Sequence, residues 1–214
     1  VTRICNVHGY ILEDSQRRPT EGRLFYRGID IRDIIEGCTA EDRFGFEEVV
    51  WLLLFGYLPT AEQLSGFTRL LEQHRELPEG FIEDMIIKAP SPNIMNKLAR
   101  SVLALYSYDE LAEDMSLENI VRQSIELIAR VSTIMVNAYQ VKKRYYDHES
   151  LFFHSPIDGM SFSENILSTL RFDRQFTREE ARSMAAATIP RSPAACFLLR
   201  VRIDMRLFLR RSAA

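Results

Sequence analysis

At 214 residues the chain has room for one large domain or two small ones, and a body of that size hides roughly 70% of the surface its unfolded chain exposes. Hydrophobic residues at 46%, charged residues at 27%, nine Gly and eight Pro exclude a collagen-like or globally disordered chain and favour helix. The net charge of -3 is unevenly spread: residues 185–214 hold six Arg and one Asp, so subtracting their +5 leaves -8 on residues 1–184, and a body that acidic is a poor nucleic-acid binder.

The longest apolar run, Val49 to Phe55, is far short of the ~20 residues a membrane helix needs, and no basic-then-apolar leader opens the chain. A cytoplasmic protein without membrane contact is the expectation. Cys5, Cys38 and Cys196 are odd in number and widely separated, which argues against a disulfide framework or a metal site.

In chain order, Thr2 to His8 alternates weakly and leads through a polar loop to Arg23–Tyr26, which predicts a small β-hairpin. Asp30 is placed to cap a helix over Ile31–Glu36, with Gly37 just past its end. Phe44 to Phe55 reads as a helix apolar on nearly every face and closed by Gly56; such a helix belongs inside a core. Thr60 and Gln63 have the form of a capping box, and Leu64, Phe67, Leu70 and Leu71 continue at helical spacing. Leu77-Pro78 ends that helix, and Phe81 to Lys88 begins another. After Pro90 and Pro92 a helix is expected over about Asn93–Tyr106, then a long one over Leu117–Tyr145 capped by Ser116. Ser161–Leu170 and Thr177–Met184 are again helical, the latter opening on Thr-Arg-Glu-Glu. The fold class is therefore all-α, with the hairpin as its only sheet.

The stretch EGRLFYRGIDIRDIIEGCTAEDRFGFEEVVWLLLFGYLPT, Glu21 to Thr60, resembles the N-terminal region of the citrate synthases, where a Gly-x-Leu-x-Tyr-Arg-Gly-x-x-Ile turn precedes Phe-Glu-Glu-Val-x-x-Leu-Leu-Leu-x-Gly-x-Leu-Pro-Thr. Lys88 to Ser91, Asn96 to Tyr106, Leu127 to Arg130 and Ser163 to Leu167 continue the likeness to short bacterial members, over most of residues 2–184. Ser132 departs from it, standing where the family usually places a helix-kinking proline. The resemblance implies the large helical domain of a citrate synthase, incomplete, whose family condenses acetyl-CoA with oxaloacetate to citrate and binds no permanent cofactor. It also implies a homodimer built on paired helices. Leu98, Val102 and Leu105 form one apolar stripe for that contact, and Val121, Ile125, Ile128 and Met135 another.

The chemistry of that family needs a carboxylate base and two histidines, each fixed and partly desolvated. In the family the histidines lie in Leu-His-x-x-His-Gly-Gly-x-Asn and Gly-Pro-x-His-Gly-x-x-Asn segments, and this chain has neither. Its histidines are His8, His74, His148 and His154, and a lone histidine among apolar neighbours, as at His154, reads as structural. No residue is therefore nominated as catalytic, substrate-binding or metal-binding. Tyr26-Arg27-Gly28 reads as a tight turn, Lys142-Lys143-Arg144 as a solvated helix end, and Glu47-Glu48 and Glu179-Glu180 as pairs that diverge on a helix.

From residue 185 the sequence turns basic and leaves the likeness. Read one base earlier, its possible codons can spell Gly-Gly-Asn-Asn-Ser-Thr-Phe-Thr-Cys-Arg-Val-Leu, the family's continuation after its first histidine segment. The expectation is a family-like body over residues 1–184 and a frameshifted tail over 185–214 that adds nothing to folding. A genuine C-terminal amphipathic helix, confined by Pro190 and Pro193 to the last two dozen residues, is the alternative. The reading for the chain is a truncated synthase fragment, inactive alone; the competing one is a non-catalytic helical module that binds itself or an intact synthase. Nucleic-acid binding through the Arg tail is a third, marked by steep salt dependence.

Overall fold

The computed structural model describes residues 4–13 and 16–191, which divide into two units: one from Val1–Phe67 together with the segment from Glu179, the other from Thr68–Arg178. The first unit opens with three antiparallel strands in the order β1 (Cys5–Glu13), β2 (Gln16–Tyr26), β3 (Ile29–Asp30). The strands run straight through what the sequence suggested was a polar loop, pairing Tyr10 with Pro19, Ile11 with Arg18 and Leu12 with Arg17. Cross-strand contacts explain how so polar a segment stays extended: Arg17 lies 4.8 Å over the Tyr10 ring and Arg18 pairs with Glu13 at 2.8 Å. Pro19 brings no donor, and the register shifts between His8 and Tyr10, where a bulge absorbs the mismatch. Between β2 and β3, Arg27 and Gly28 take φ of 50° and 91°, the left-handed pair of a two-residue hairpin turn.

Helix α1 (Ile31–Ala40) is capped by Asp30, whose Oδ1 accepts from the Arg32 amide at 3.0 Å. It does not stop at Gly37 as expected. Ile31, Ile34 and Cys38 make a buried stripe at three- and four-residue spacing, and burying Cys38 carries the helix another turn. Helix α2 (Phe46–Phe55) starts two residues later than the apolar run, behind Gly45 at φ 71°, and ends on Gly56 at φ 91°, whose N–H donates to the Leu52 carbonyl. A Cβ on Gly45 would lie 2.5 Å from the Cys38 sulfur, so glycine there is needed for the close approach of α1 as well as for the backbone. Arg27 closes the other end of α2 by donating to the Leu53 carbonyl at 2.8 Å. In α3 (Ala61–Gln73) the Thr60–Gln63 capping box forms in both directions.

The core of this unit comprises Tyr26, Ile31, Ile34, Cys38, Val49, Leu52, Leu53 and, from far down the chain, Ile189. Ile189 belongs to α7 (Arg178–Arg191), which extends beyond the expected boundary at residue 184. Ala181, Ala185 and Ile189 recur every four residues and are all buried, and the Tyr26 hydroxyl donates to the Ile189 carbonyl at 3.4 Å. The expectation that residues from 185 onward add nothing to folding therefore fails for Ala185 and Ile189; residues 192–214 lie outside the described residues.

In the second unit the expected helix over Phe81–Lys88 is a π-helix, Ile82–Ile87, ending with the Lys88 amide on the Glu83 carbonyl at 3.1 Å. The Lys97 ammonium, 3% exposed, sits against its C-terminal carbonyls, donating to Met85 and, at 2.9 Å, to Ala89. Helix α4 (Ile94–Ala104), capped by Asn93, tightens into a 3-10 turn over Leu105–Tyr108. Helix α5 (Leu117–Tyr146) is capped by Ser116 and continues unbroken across Ser132, consistent with the missing proline. Along it Arg122 donates to Asp109 at 2.7 Å, to Asn119 and to Glu126, and Arg130 shares Glu126. Helix α6 (Phe162–Leu170) carries the Ser161–Glu164 capping box, and Asn165 staples the preceding loop, accepting from the Ile157 amide and donating to the Ile157 and Met160 carbonyls. Among the described residues no helix is long and apolar enough to cross a membrane.

Two predictions follow from this packing. Ile189→Ala deletes a buried side chain that closes the first unit, so it costs about 2–5 kcal/mol in urea unfolding; an unchanged transition would mean α7 is not part of that core. The Asp109 carboxyl is the second case: burial pushes its pKa up, but hydrogen bonds from Arg122 and Gln123 outweigh this and hold it below the usual carboxylate value. Because the folded pKa is depressed, the stabilisation is complete above the unfolded value of about 3.9 and is lost as pH falls through the folded one. The urea-midpoint gap between the parent chain and Asp109→Asn is expected to be wide at neutral pH and to close toward about pH 3; a gap equal at both would sink the assignment.

Candidate functional site

None of the four histidines hydrogen-bonds a carboxylate among the described residues. His8 lies exposed on β1, 2.8 Å from the Asn6 amide nitrogen and edge-on to Phe25. His74 is half-buried just past α3, and His148 is exposed at φ 60°. His154 has the most built surroundings: its Nε2 is 3.1 Å from the Phe172 carbonyl, and its ring lies 5.1 Å from Phe152. That places it as a backbone-bonded, aromatic-packed residue. Among the described residues no group of three His, Cys, Asp or Glu side chains could hold a metal ion.

A cavity in the first unit, about 220 Å³ in volume, is lined by Ile35, Cys38, Arg43, Arg182, Ala185 and Ile189 among others. The charged groups and the thiol at its wall already have partners. Arg43 pairs with Glu41 at 2.8 Å and with Glu48, Arg182 donates through Nε to Asp42 at 3.0 Å, and the Cys38 thiol lies 3.7 Å from the Glu48 carboxylate. Burial, with the Glu48 charge added, pushes that thiol up to about 11. At neutral pH it is a protonated, apolar wall and not a nucleophile.

Tyr26-Arg27-Gly28 is a hairpin turn whose arginine caps α2, so it offers no cradle for an anion. Lys142 and Lys143 pair with Asp147 and Glu149 beyond the end of α5. Glu47 is buried, whereas Glu48 turns to Arg43 and Cys38, so the adjacent carboxylates face different partners.

The seven residues nominated for a dimer contact fall into two groups. Leu105, Ile125 and Ile128 are buried inside the second unit; Leu98, Val102 and Val121 are half-buried, and Met135 is exposed. The strongly exposed apolar side chains nearby are Met95 at 69%, Leu103 at 51% and Tyr106 at 51%.

Sequence reasoning missed Lys97 and the Asp109–Arg122 pair. Burial, reinforced by Arg100, pushes the Lys97 pKa down, and its two carbonyl acceptors mark it as a structural cation. A lysine immediately before the stripe residue Leu98 gives no warning of this, since the carbonyls it meets, Met85 and Ala89, lie in and just past another helix.

The model of the family described as citrate synthase, C-terminal domain, matches residues 1–190. A citrate synthase of Saccharolobus solfataricus is 27% identical over 169 residues, 79% of this chain and 41% of that protein. A 2-methylcitrate synthase of Corynebacterium glutamicum is 29% identical over 154 residues, 72% of this chain and 37% of its own length. Among solved structures, citrate synthase from Pyrobaculum aerophilum superposes with a TM-score of 0.70 at 23% identity, covering 88% of this chain and 44% of that one. The Thermoplasma acidophilum enzyme, solved as a ternary complex with carboxymethyl coenzyme A and oxaloacetate, gives 0.66 at 24% identity. The chain spans about two fifths of the length of the curated relatives it matches, and by this match over nearly its whole described length it belongs to the citrate synthase family.

Proposed function

We propose that this chain supplies part of the helical scaffold of a citrate synthase-type enzyme, one that condenses acetyl-CoA with oxaloacetate or a related 2-oxo acid, and that the 214-residue chain has no catalysis of its own. The family match over residues 1–190 carries the first half of the reading. The second rests on the paired state of its chemistry: none of the four histidines has an acid partner among the described residues, and the Cys38 thiol is protonated at neutral pH. Acetyl-CoA and oxaloacetate are then substrates of the assembled enzyme, acting in the cytoplasm without nucleic acid or membrane as partner. Among the described residues no histidine is paired with a carboxylate to polarise a carbonyl, and positioning alone does not replace that chemistry.

Self-association belongs to the same reading. Leu98, Val102, Val121 and Met135 remain at least partly exposed, and Met95, Leu103 and Tyr106 widen the apolar surface of α4 and its 3-10 turn. Leu105, Ile125 and Ile128 are buried in the single chain and lie outside that exposed surface.

The purified chain is expected to release no CoA from acetyl-CoA and oxaloacetate above background. Turnover of about 1 per second or more, abolished by a substitution within this chain, would overturn the reading. In sedimentation a weak dimer is expected at tens of micromolar, about the range in which a contact of roughly 6–7 kcal/mol populates, and Leu103→Asp is expected to shift it toward monomer. A well-folded monomer at every concentration removes the dimer face from the proposal.

A further inference from the structure

Asp158-Gly159 is the one Asp-Gly step in the sequence, and it lies in a turn of the second unit between Ile157 and Met160. Both residues are exposed, Gly159 stands at φ 80°, and a Cβ built on it would meet open space. The two ends of the turn are fixed. The Asn165 side chain accepts from the Ile157 amide at 2.8 Å and donates to the Ile157 and Met160 carbonyls at 3.0 Å each, and the Arg75 guanidinium donates to the Met160 carbonyl at 2.9 Å.

Between those ends sit an acid and a nitrogen with different surroundings. The Asp158 carboxyl has no hydrogen bond or ion pair among the described residues, so it is free to rotate toward the chain. The Gly159 amide donates to Glu72 Oε1 at 3.2 Å. Because the residue is glycine, no side chain shields that nitrogen. A carboxylate within hydrogen-bond reach of an N–H has the geometry of a general base for its proton.

We propose that Asp158-Gly159 is a modification site at which the backbone isomerises to isoaspartate, with Glu72 as the base. The Gly159 nitrogen bonds to the Asp158 Cγ while its proton passes to Glu72; the carboxyl, in its acid form, gives up its hydroxyl, which takes that proton and leaves as water. The product is a cyclic imide. Water then adds to the Asp158 main-chain carbonyl carbon, the bond from that carbon to the Gly159 nitrogen breaks, and the chain runs on through Cγ. One water leaves and one enters, nothing is oxidised or reduced, and the mass returns to its starting value. The added methylene falls between Ile157 and Met160, whose separation the Asn165 side chain fixes, so the change loosens the entry to α6. This step needs no reactant but water and does not depend on the condensation reading.

The test holds the full chain for weeks in water enriched in heavy oxygen, near neutral pH. Each passage through the imide leaves a heavy oxygen at residue 158, read as a mass increase in the peptide that contains it, and fragmentation across Asp158 tells the two linkages apart. The folded parent is expected to take up label at least as fast as the same chain unfolded in urea. Glu72→Gln is expected to slow the folded chain about tenfold or more and to leave the unfolded rate unchanged. In the isomerised fraction, hydrogen exchange across the first turn of α6 is expected to rise several-fold; unchanged exchange would remove the Asn165 clamp from the proposal. If Glu72→Gln does not fold, the parent's folded-to-unfolded ratio decides alone. Slower labelling in the folded parent than in urea means that the turn protects the step and overturns the proposal, as does a folded Glu72→Gln chain that labels at the parent's rate.

Discussion

A helix that is apolar on every side is tolerable in water only when other elements cover it all round, and α2 imposes that condition on the first unit. Val49, Val50, Leu52 and Leu53 are all buried, so no single neighbour can satisfy the helix. Helix α1 supplies Ile31, Ile34 and Cys38, the sheet supplies Tyr26, and α7 supplies Ile189. The special backbone positions follow from the same demand. Gly45 lets α1 approach, Gly56 turns the chain away at the far end, and Arg27 satisfies a carbonyl that the ended helix leaves open.

The second unit solves a different problem, since α5 is amphipathic and buries many polar residues along with its apolar ones. Asn119, Gln123 and Gln140 are each committed to a carbonyl or carboxylate, and Arg122 ties Asp109, Asn119 and Glu126 together. Such groups cost free energy when buried unless each is bonded, so this lattice fixes the register of α5 against its surroundings more than it adds stability. Lys97 follows the same logic as a buried charge whose acceptors are carbonyls at the end of a π-helix.

How legible this was in the sequence depended on how local the cause was. Helix starts were readable because a cap is a contact within three residues: Asn93, Ser116, Ser161 and the Thr60–Gln63 pair all act on amides of their own first turn. The strand extension over Gln16–Gly22 was not, because Arg, Pro and Glu argue against a strand until Tyr10 and Glu13 are known to lie opposite. The end of α1 was misread because Gly37 looks like a cap until Cys38 is known to be buried. The length of α7 was missed because alanines at 181 and 185 give little amphipathic signal and Pro190 reads as a stop. At the candidate site the histidines' lack of acid partners in sequence was legible, whereas Lys97 and the Cys38–Glu48–Arg43 group were not, since their character comes from burial.

The seating of α7 also constrains the order in which the chain can fold. Tyr26 and Ile189 are separated by 163 positions, and the entropy of closing a loop grows with its length, though only by about 0.6 kcal/mol for each doubling. The thermodynamic penalty is therefore modest, but contacts of such separation form late because nothing rewards them until both partners are otherwise placed. Until then the sheet, α1 and α2 must hold together with the Ile189 position open and the Gly45 gap unfilled. The element that completes the first core is thus the last one available to it, and it arrives through a strained turn that belongs to the other unit.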